Sequence, residues 1–215
     1  ADEFIMTNTN MTIDDVLALG KVMPVIVIDD VARAVPLAQT LLANGIRTIE
    51  ITLRTPAALD AIAAIAKECP DMVVGAGTIL TPALAQASAD AGARFVVSPG
   101  CTDAVVKGCH DAGVPLLPGA STVSEMMALA EQGFDTIKFF PAMAAGGPDF
   151  IKSLASPLPH LGFCPTGGIT EATAPDWLSL PNVPCLGGSW IAPAMLINDG
   201  DWDAIGAHAK AASVL

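Results

Sequence analysis

The chain has 215 residues and a formal net charge of −12, with 52% hydrophobic and 15% charged residues. This length fits one large domain, and the negative charge argues against nucleic acid and anionic membrane surfaces as partners. The longest charge-free run lies between Trp177 and Asn198, but prolines and a Gly-Gly pair interrupt it, so we interpret it as core and loop rather than a membrane span.

The N-terminus and the cysteines bear on the origin and the cellular compartment of the chain. The opening ADEFI looks like a vector-derived segment ahead of a natural start at Met6. We therefore expect residues 1–5 to be foreign and residues 6–215 to form a single domain. The five cysteines are odd in number and show no Cys-x-x-Cys spacing, and no secretory signal precedes them. These features indicate reduced thiols and a cytoplasmic location.

One local pattern recurs along the chain: an alanine-rich helical run, then a glycine, then a β-rich run. The glycine stands where a helix C-cap needs a left-handed residue. Three further strand-like segments bring the predicted strands to eight, spaced on average by roughly 23 residues. Strands that alternate with helices in this way predict a parallel sheet with right-handed crossovers. The glycines of the pattern are Gly20, Gly45, Gly92, Gly113 and Gly133.

The predicted units fit an α/β fold of the (β/α)8 TIM-barrel type with a short N-terminal capping helix, Ile13–Leu19. Helices are expected after each strand, for example Ala57–Glu68 and Val123–Gln132. An open doubly wound sheet is the alternative, although no Gly-x-Gly-x-x-Gly loop follows the first strand. The predicted strands are Val22–Ile28, Thr48–Thr52, Met72–Gly75, Phe95–Ser98, Pro115–Leu117, Thr136–Phe139, Gly162–Cys164 and Pro184–Leu186.

The second predicted strand and its end carry polar residues on one face. In TIEITLRT, Glu50, Thr52 and Arg54 alternate with apolar residues that suit the helix layer. Glu50 is therefore expected to point into the barrel, where an unpaired carboxylate is costly. Arg54 offers a planar fork that suits a substrate carboxylate, although a simple surface arginine is the alternative.

The third and fourth strands end in small or rigid residues. VGAGT contains Gly75, Ala76 and Gly77, which would let the backbone approach a ligand, and Thr78, which could donate a hydroxyl. A simple turn explains this motif equally well. Pro99, in VSPG, would form a rigid rim beside the barrel mouth.

The sixth strand, in TIKFFP, places Lys138 among apolar neighbours. Burial disfavours the protonated form of an amine, so Lys138 is a candidate nucleophile. The alternative is a structural ion pair, with Glu50 as the obvious partner. Together the two side chains supply an amine that can attack a carbonyl and a carboxylate that can shuttle protons, which are the groups that a Schiff-base lyase requires.

The last two strands each end in a Gly-Gly pair. The pairs are Gly167 with Gly168 and Gly187 with Gly188, and Ser189 follows the second. Loops after strands seven and eight of barrels often bind phosphate, through backbone N–H groups and helix N-termini. Tight turns are the alternative for either pair taken alone.

Metal and thiol chemistry find little support in the sequence. His110, His160 and His208 show no ligand spacing and do not fall at predicted strand ends, so we expect no metal site. Cys164 lies close to the predicted mouth, but a small core residue is the better interpretation.

The motifs TIEITLRT, VGAGT, VSPG, TIKFFP, FCPTGG and LGGSW follow one another in this order. From about Ile13 onward the chain resembles the 2-keto-3-deoxy-6-phosphogluconate (KDPG) aldolase family, also called 4-hydroxy-2-oxoglutarate aldolase. The resemblance implies a homotrimeric class I aldolase of the Entner–Doudoroff pathway. Such an enzyme cleaves KDPG to pyruvate and glyceraldehyde 3-phosphate, with 4-hydroxy-2-oxoglutarate as a further substrate, and needs no cofactor beyond its covalent lysine adduct.

The same resemblance assigns roles to residues. Lys138 is implied to be the Schiff-base lysine and Glu50 the general acid and base. The other implied contacts are Arg54, Thr78, Pro99 and Phe140 around the pyruvyl group, Thr166 at a substrate hydroxyl, and Gly167, Gly168, Gly187, Gly188 and Ser189 at the phosphate.

Two other functions remain open from the sequence. A phosphate-binding isomerase or epimerase would use Glu50 as its base and leave Lys138 as an electrostatic partner. A non-catalytic barrel that binds a phosphorylated ligand would use the glycine pairs alone. The aldolase is preferred because only this function uses Lys138, Glu50, Arg54 and both glycine pairs.

Overall fold

The computed structural model describes residues 11–215, so the suspected vector-derived segment and Met6 lie outside the described residues. Strands and helices alternate along the chain. The strands, β1 to β9, are Val22–Ile26, Thr48–Thr52, Val73–Gly77, Val96–Val97, Leu116–Leu117, Gly119–Ala120, Thr136–Phe139, Gly162–Pro165 and Leu186–Gly188. The α-helices, α1 to α10, are Ile13–Leu17, Ala34–Ala43, Ala58–Glu68, Pro82–Asp90, Asp103–Asp111, Val123–Glu131, Gly147–Leu154, Ala174–Leu178, Ala194–Asp199 and Trp202–Ala212, and a 3-10 helix covers Val31–Arg33.

The strands pair in parallel, and the fold is α/β with a parallel sheet that forms a half-barrel. One sheet has six strands in the order β5-β4-β3-β2-β1-β9, and the other has three in the order β6-β7-β8. From β5 to β1 the order follows the chain without the reversal that defines a doubly wound sheet. A single bridge between Thr166 and Gly187 links the ends of β8 and β9. At the other edges, only Pro118 separates β5 from β6.

All eight predicted strands are present, but the fifth and the last of them extend beyond their predicted C-terminal ends. The predicted strand Pro115–Leu117 covers β5 and misses β6, which resumes pairing after Pro118. The last strand was expected at Pro184–Leu186, whereas β9 includes Gly187 and Gly188. These glycines pair with Met23 and Pro24 of β1, and this pairing extends the strand into the expected loop.

Most of the predicted helix ends are also confirmed. Gly45, Gly92, Gly113 and Gly133 adopt φ angles of 89°, 92°, 66° and 90°, the left-handed conformation expected after a helix. The prediction for Gly20 is wrong, because α1 ends earlier, at a right-handed Ala18.

Threonines define the starts of several helices. The side chains of Thr81, Thr102 and Thr122 each accept a hydrogen bond from a backbone N–H in the first turn of α4, α5 and α6. A threonine at this position satisfies a donor that has no partner within the helix. Each helix therefore starts close after the preceding strand, and the loops that carry the polar residues stay short.

Apolar side chains pack on both faces of the strands. The outer face, with Ile49 and Ile51, packs against the helices. The inner face carries a smaller group, which we call the inner cluster, and α1 contributes to it. Thr136, at the start of β7, donates a hydrogen bond of 3.1 Å to Asp14 of α1. The inner cluster consists of Val16, Leu17, Met23, Val73, Phe95, Val97, Leu117, Cys164 and Cys185.

None of the helices in the described part of the chain combines the length and the apolar character that crossing a membrane needs.

Candidate active site

A buried lysine and a buried glutamate meet on the inner face of the strands. Lys138 lies in β7 and Glu50 in β2, and their side chains are only 4% and 3% exposed. The Lys138 Nζ and Glu50 Oε1 atoms are 3.4 Å apart. Among residues 11–215, this is the one salt bridge between two buried side chains. The ion pair expected from the sequence is therefore present.

The hydrogen bonding of this pair is incomplete. A charge-assisted hydrogen bond is typically about 2.7–2.9 Å long, so the contact between Nζ and Oε1 is loose. Within the described residues, Nζ has no second hydrogen-bond partner, although an ammonium can donate three bonds. The ring of Phe140 adds a cation–π contact, with its centroid 5.5 Å from Nζ. A purely structural ion pair needs fuller compensation for its burial, so this arrangement favours a group that acts on a ligand.

Two glycines on β3 make room for side chains of the neighbouring strands. A Cβ at Gly75 would overlap the ring of Phe95, and a Cβ at Gly77 would lie about 2.7 Å from Glu50 Cδ. The sequence had suggested that these glycines let the backbone approach a ligand. Their neighbours correct this interpretation, because a side chain already fills the space beside each glycine. Their spacing of two residues puts both glycines on the inner face of β3, where Gly75 is the register partner of Glu50 and Gly77 that of Thr52, and this spacing was the signal available in the sequence.

Arg54 lies beyond the end of β2 and is exposed. Its Nε donates a hydrogen bond of 3.1 Å to Oγ1 of Thr78, which follows β3. Thr78 has a φ of 64° and is the one non-glycine residue with positive φ in the described part of the chain. The structure therefore brings together Arg54 and Thr78, two of the residues expected at the carboxylate end of a ligand.

Pro99 follows β4 and is held against the strand that neighbours Lys138. A Cβ at Gly119 would lie 2.5 Å from the carbonyl oxygen of Ser98 and would also overlap the backbone of Pro99. The Gly119 N–H donates to Ser98 Oγ at 3.3 Å. Because Gly119 is the register partner of Lys138, this close packing places Pro99 near the lysine. Sequence reasoning gave no role to Gly119 or to Ser98, although Ser98 belongs to the VSPG motif.

Thr166 lies at the meeting point of the two sheets. Its N–H donates to Phe139 at 2.9 Å, and its carbonyl accepts from Ala142 at 2.8 Å. Its side chain fills the space where a Cβ on Gly187 would stand, within 2.9 Å of its Cγ2 atom. Thr166 is thus fixed between the strand that carries Lys138 and the last strand of the fold.

The glycine pairs divide into packed and open positions. Gly187 and Gly188 are buried in β9, where Thr166 and the ring of Trp190 leave no space for a Cβ. Gly167 and Gly168 have φ angles of 105° and 77°, and their neighbours are the side chains of Phe140 and Met143. Packing therefore explains part of the glycine pattern without any ligand.

In the described chain, two exposed backbone N–H groups at the glycine pairs have no backbone acceptor. Gly168 and Ser189 are exposed, and their N–H groups donate to no backbone carbonyl within residues 11–215. The helices that were expected to help begin only at Ala174 and Ala194, so neither starts directly at a glycine pair.

The buried Cys185 is a poor nucleophile. Cys164 is the register partner of Lys138 in β8. A hydrogen bond with Cys164 and complete burial raise the pKa of the neighbouring Cys185 thiol well above its usual range. That thiol therefore stays protonated at neutral pH, and Lys138 is the better candidate for attack on a carbonyl.

None of the three histidines lies on β2 or β7, the strands that carry Glu50 and Lys138. His110 is in α5, His160 precedes β8, and His208 of α10 has its Nδ1 3.3 Å from the Ile191 carbonyl. No group of three or more His, Cys, Asp or Glu residues that could hold a metal occurs in the described segment.

Comparisons with known proteins agree on one family. The family model described as KDPG and KHG aldolase matches residues 13–208. The 2-dehydro-3-deoxy-phosphogluconate aldolase of Pseudoalteromonas atlantica is 49% identical over 206 residues, which is 95% of each chain.

Solved structures give the same result. The KDPG aldolase of Legionella pneumophila, with pyruvate captured at low pH as a covalent carbinolamine intermediate, is 43% identical, has a TM-score of 0.90, and matches over 93% of this chain and 97% of its own. The aldolase of Zymomonas mobilis ZM4 with 3-phosphoglycerate is 46% identical, with a TM-score of 0.87 and 94% coverage of both chains. The chain therefore belongs to the KDPG and KHG aldolase family.

Proposed function

We propose that this chain is a class I aldolase that cleaves KDPG to pyruvate and glyceraldehyde 3-phosphate, and that also accepts 4-hydroxy-2-oxoglutarate. The observation that carries the proposal is the buried, loosely bonded contact between Lys138 Nζ and Glu50 Oε1. The pyruvate carbinolamine in the Legionella relative supports an amine as the nucleophile. No separate cofactor or metal ion is part of the proposal.

The first half of the reaction builds an iminium. Transfer of a proton from Nζ to Glu50 leaves a neutral amine and a carboxylic acid, and the amine attacks the C2 carbonyl of the substrate. Glu50 then returns the proton to the C2 oxygen, directly or through a water, and the carbinolamine loses water. The resulting iminium carries the positive charge that makes C2 an electron sink.

The second half breaks the carbon–carbon bond. Glu50, again a carboxylate, takes the proton of the C4 hydroxyl, and the electrons of the C3–C4 bond move into the iminium. Glyceraldehyde 3-phosphate leaves, and the three-carbon enamine stays on Lys138. Protonation at C3 restores the iminium, and its hydrolysis frees pyruvate. The positions of Lys138 and Glu50 on facing strands allow one carboxylate to serve every proton transfer.

Binding of the pyruvyl group is assigned to residues at the ends of β2, β3 and β4. Arg54 and Thr78 supply donors for the carboxylate, and their mutual hydrogen bond of 3.1 Å supports this assignment. Pro99 and Phe140 line the pocket that holds the pyruvyl group, and Thr166 binds a substrate hydroxyl. Phe140 lies over Nζ, so it would also limit the space around the adduct.

The phosphate is assigned to the carboxyl ends of β8 and β9, with Gly167, Gly168 and Ser189 in the loops and Gly187 and Gly188 at the end of β9. The open N–H groups of Gly168 and Ser189 support this assignment, as does the 3-phosphoglycerate in the Zymomonas relative. Neutral backbone donors suit a dianion on a chain with a net charge of −12, where few cations are available. A large loss of kcat/KM on the dephosphorylated substrate is expected, and equal kcat/KM on both substrates would contradict the assignment.

The two sheets are proposed to belong to one closed (β/α)8 barrel and one domain, residues 6–215. The bridge between Thr166 and Gly187 supports closure on one side. On the other side, the Pro118 carbonyl, between β5 and β6, accepts a bond of 2.8 Å from the Lys138 N–H. In this arrangement β5 and β6 count as one interrupted strand.

A homotrimer in the cytoplasm is proposed for the assembly and location. Val123 and Met127 of α6 are 38% and 49% exposed, and a subunit contact would bury such side chains. The five cysteines are free thiols, which fits a reducing compartment. Size-exclusion chromatography with light scattering should give a mass three times that of one chain.

Borohydride trapping tests the catalytic proposal. With pyruvate and borohydride, peptide mass mapping should place a reduced three-carbon adduct on Lys138 and none on Lys107, an exposed lysine that serves as the internal control. Replacement of Lys138 by methionine should remove the adduct and the cleavage activity. An adduct on another lysine, or activity that survives borohydride with pyruvate, would favour an isomerase that uses only Glu50.

A further inference from the structure

The loop between β7 and α7 is tied to the loop that follows β8. The Ala142 N–H donates to the Thr166 carbonyl at 2.8 Å, and the Met143 N–H donates to the Gly167 carbonyl at 3.1 Å. These bonds extend the contact between the two chain segments beyond the ends of both strands. Met143 therefore lies beside the first glycine pair.

The side chain of Met143 packs against Gly168. A Cβ at Gly168 would lie 2.9 Å from both Cβ and Cγ of Met143, so the methionine already occupies the space that a side chain there would need. Met143 is nevertheless 44% exposed. Single exposed apolar side chains are common and need no explanation, but this one lies against a residue whose exposed N–H is assigned to the phosphate.

The loop that carries Met143 is itself held in place. Ala142 is fully buried, and its carbonyl accepts a bond of 3.0 Å from the Gly147 N–H at the start of α7. The Ala145 N–H donates to the Pro141 carbonyl at 2.8 Å. The backbone of Met143 is therefore supported on both sides.

The glycine turn needs such support because it has no side chain of its own. Gly167 and Gly168 have φ angles of 105° and 77°, and glycine has more backbone freedom than any other residue. The Met143 N–H holds the Gly167 carbonyl, and the Met143 side chain blocks the Cβ side of Gly168. The turn is thereby kept from rotating toward Met143, and the Gly168 N–H stays exposed.

We infer that Met143 is a positioning residue for the phosphate end of the substrate: its side chain holds the Gly168 turn so that the N–H stays available to the ligand. The inference rests on the proposed function and adds to it a residue that contacts the turn rather than the phosphate. A thioether carries no charge, so the effect of Met143 comes from packing and not from attraction to a dianion. Loss of this packing should weaken the binding of a phosphorylated substrate and leave the chemical step at Lys138 unchanged.

The test compares two substrates that differ at the end far from the keto group. KDPG ends in a phosphate, whereas 4-hydroxy-2-oxoglutarate ends in a carboxylate at C5 and has no phosphate. Met143→Ala should raise KM for KDPG about fivefold and change kcat by less than about twofold. For 4-hydroxy-2-oxoglutarate, kcat/KM should stay within about twofold of wild type. The pyruvate concentration that half-saturates borohydride trapping at Lys138 should also change by less than about twofold.

Two further variants separate positioning from a general loss of structure. Met143→Leu keeps an apolar side chain of similar volume, so its KM for KDPG should be close to that of wild type. Val214, which is 81% exposed near the end of the chain, supplies the control, and Val214→Ala should match wild type on both substrates. An unchanged KM for KDPG in Met143→Ala, no recovery in Met143→Leu, or an equal loss of kcat/KM on both substrates would overturn the inference.

Failure of the proposed function gives a different result from these. Wild-type protein would then form no adduct at Lys138 with pyruvate and borohydride, or would cleave KDPG and its dephosphorylated form with equal kcat/KM. Both measurements are made on the wild-type chain, so they are independent of any change at Met143.

Discussion

At the amino ends of the strands the inner face carries Met23 and Val73, which belong to the same cluster as Val16 and Leu17 of α1. Two residues beyond Val73 the inner face of β3 carries Gly75, and Glu50 of β2 and Lys138 of β7 lie on this face two residues beyond the buried Thr48 and Thr136. The amino ends combine apolar side chains with two buried threonines, while the charged pair and the glycines lie further along the strands. The same strands run through both ends, and the side chains serve stability at the first end and chemistry at the second.

The difference shows how one strand can serve stability and chemistry at once. Apolar side chains at the amino ends bury surface and hold the strands in register, with little need for polar partners. At the carboxyl ends, the glycines leave the volume that Glu50 occupies, and the hydrogen bonds of the ion pair stay incomplete. Changes at the first end should therefore alter unfolding, and changes at the second should alter turnover.

The largest expected effect comes from Glu50→Gln, which keeps the size of the side chain and removes its ability to accept a proton. Turnover of KDPG should fall roughly 10²- to 10⁴-fold, which raises the barrier by about 3 to 5 kcal/mol. Steady-state cleavage assays give this number. The exposed Glu68, at the end of α3, provides the control: Glu68→Gln should cleave KDPG at the wild-type rate. Equal turnover in both variants would remove Glu50 from the mechanism.

A change near the amino ends of the strands should lower stability and leave turnover unchanged. Leu17 of α1 is 5% exposed within the inner cluster, and Leu17→Ala should lower the free energy of unfolding by about 2 to 5 kcal/mol. Urea unfolding followed by circular dichroism measures this loss. Below the unfolding transition, kcat and KM should stay within about twofold of wild type.

The control for this change is Leu215→Ala, since Leu215 is 38% exposed at the end of the chain. The free energy of unfolding of that variant should change by about 0.5 kcal/mol or less. If Leu17→Ala lowers kcat as strongly as it lowers stability, the two ends are coupled and the comparison fails.

Gly77→Ala should produce a smaller effect on stability that nevertheless reaches the site. The new methyl group would meet the Glu50 carboxylate, so either the strand or Glu50 must move. Overpacking of this kind costs about 1 to 3 kcal/mol, and displacement of Glu50 should also lower kcat. Thermal unfolding and cleavage assays together measure both effects.

Gly20→Ala is the matched control, because the nearest atom to a Cβ there is a backbone oxygen at 3.9 Å and φ is not positive. That variant should keep both stability and activity. Normal kcat in Gly77→Ala would show that the room beside Glu50 is not needed for catalysis.

Much of the fold could be predicted from local patterns. The glycines at helix ends and the apolar strands act over a few residues, so Gly45 and Gly133 were placed correctly, as were all eight strands in outline. The end of the last strand was misjudged because Gly187 and Gly188 look like loop residues. Their pairing with β1 depends on a segment more than a hundred residues away, which no local pattern contains.

The candidate site divides in the same way. The sequence by itself determined that Lys138 would be buried, because a lysine between apolar neighbours in a short strand has no route to solvent. It also placed Glu50 on the inner face through the alternation of β2. The tertiary structure alone decided the 3.4 Å contact between them, the space that Gly77 leaves for Glu50, and the left-handed Thr78 beside Arg54. Those features depend on the register of neighbouring strands, and register is fixed by contacts between residues far apart in the chain.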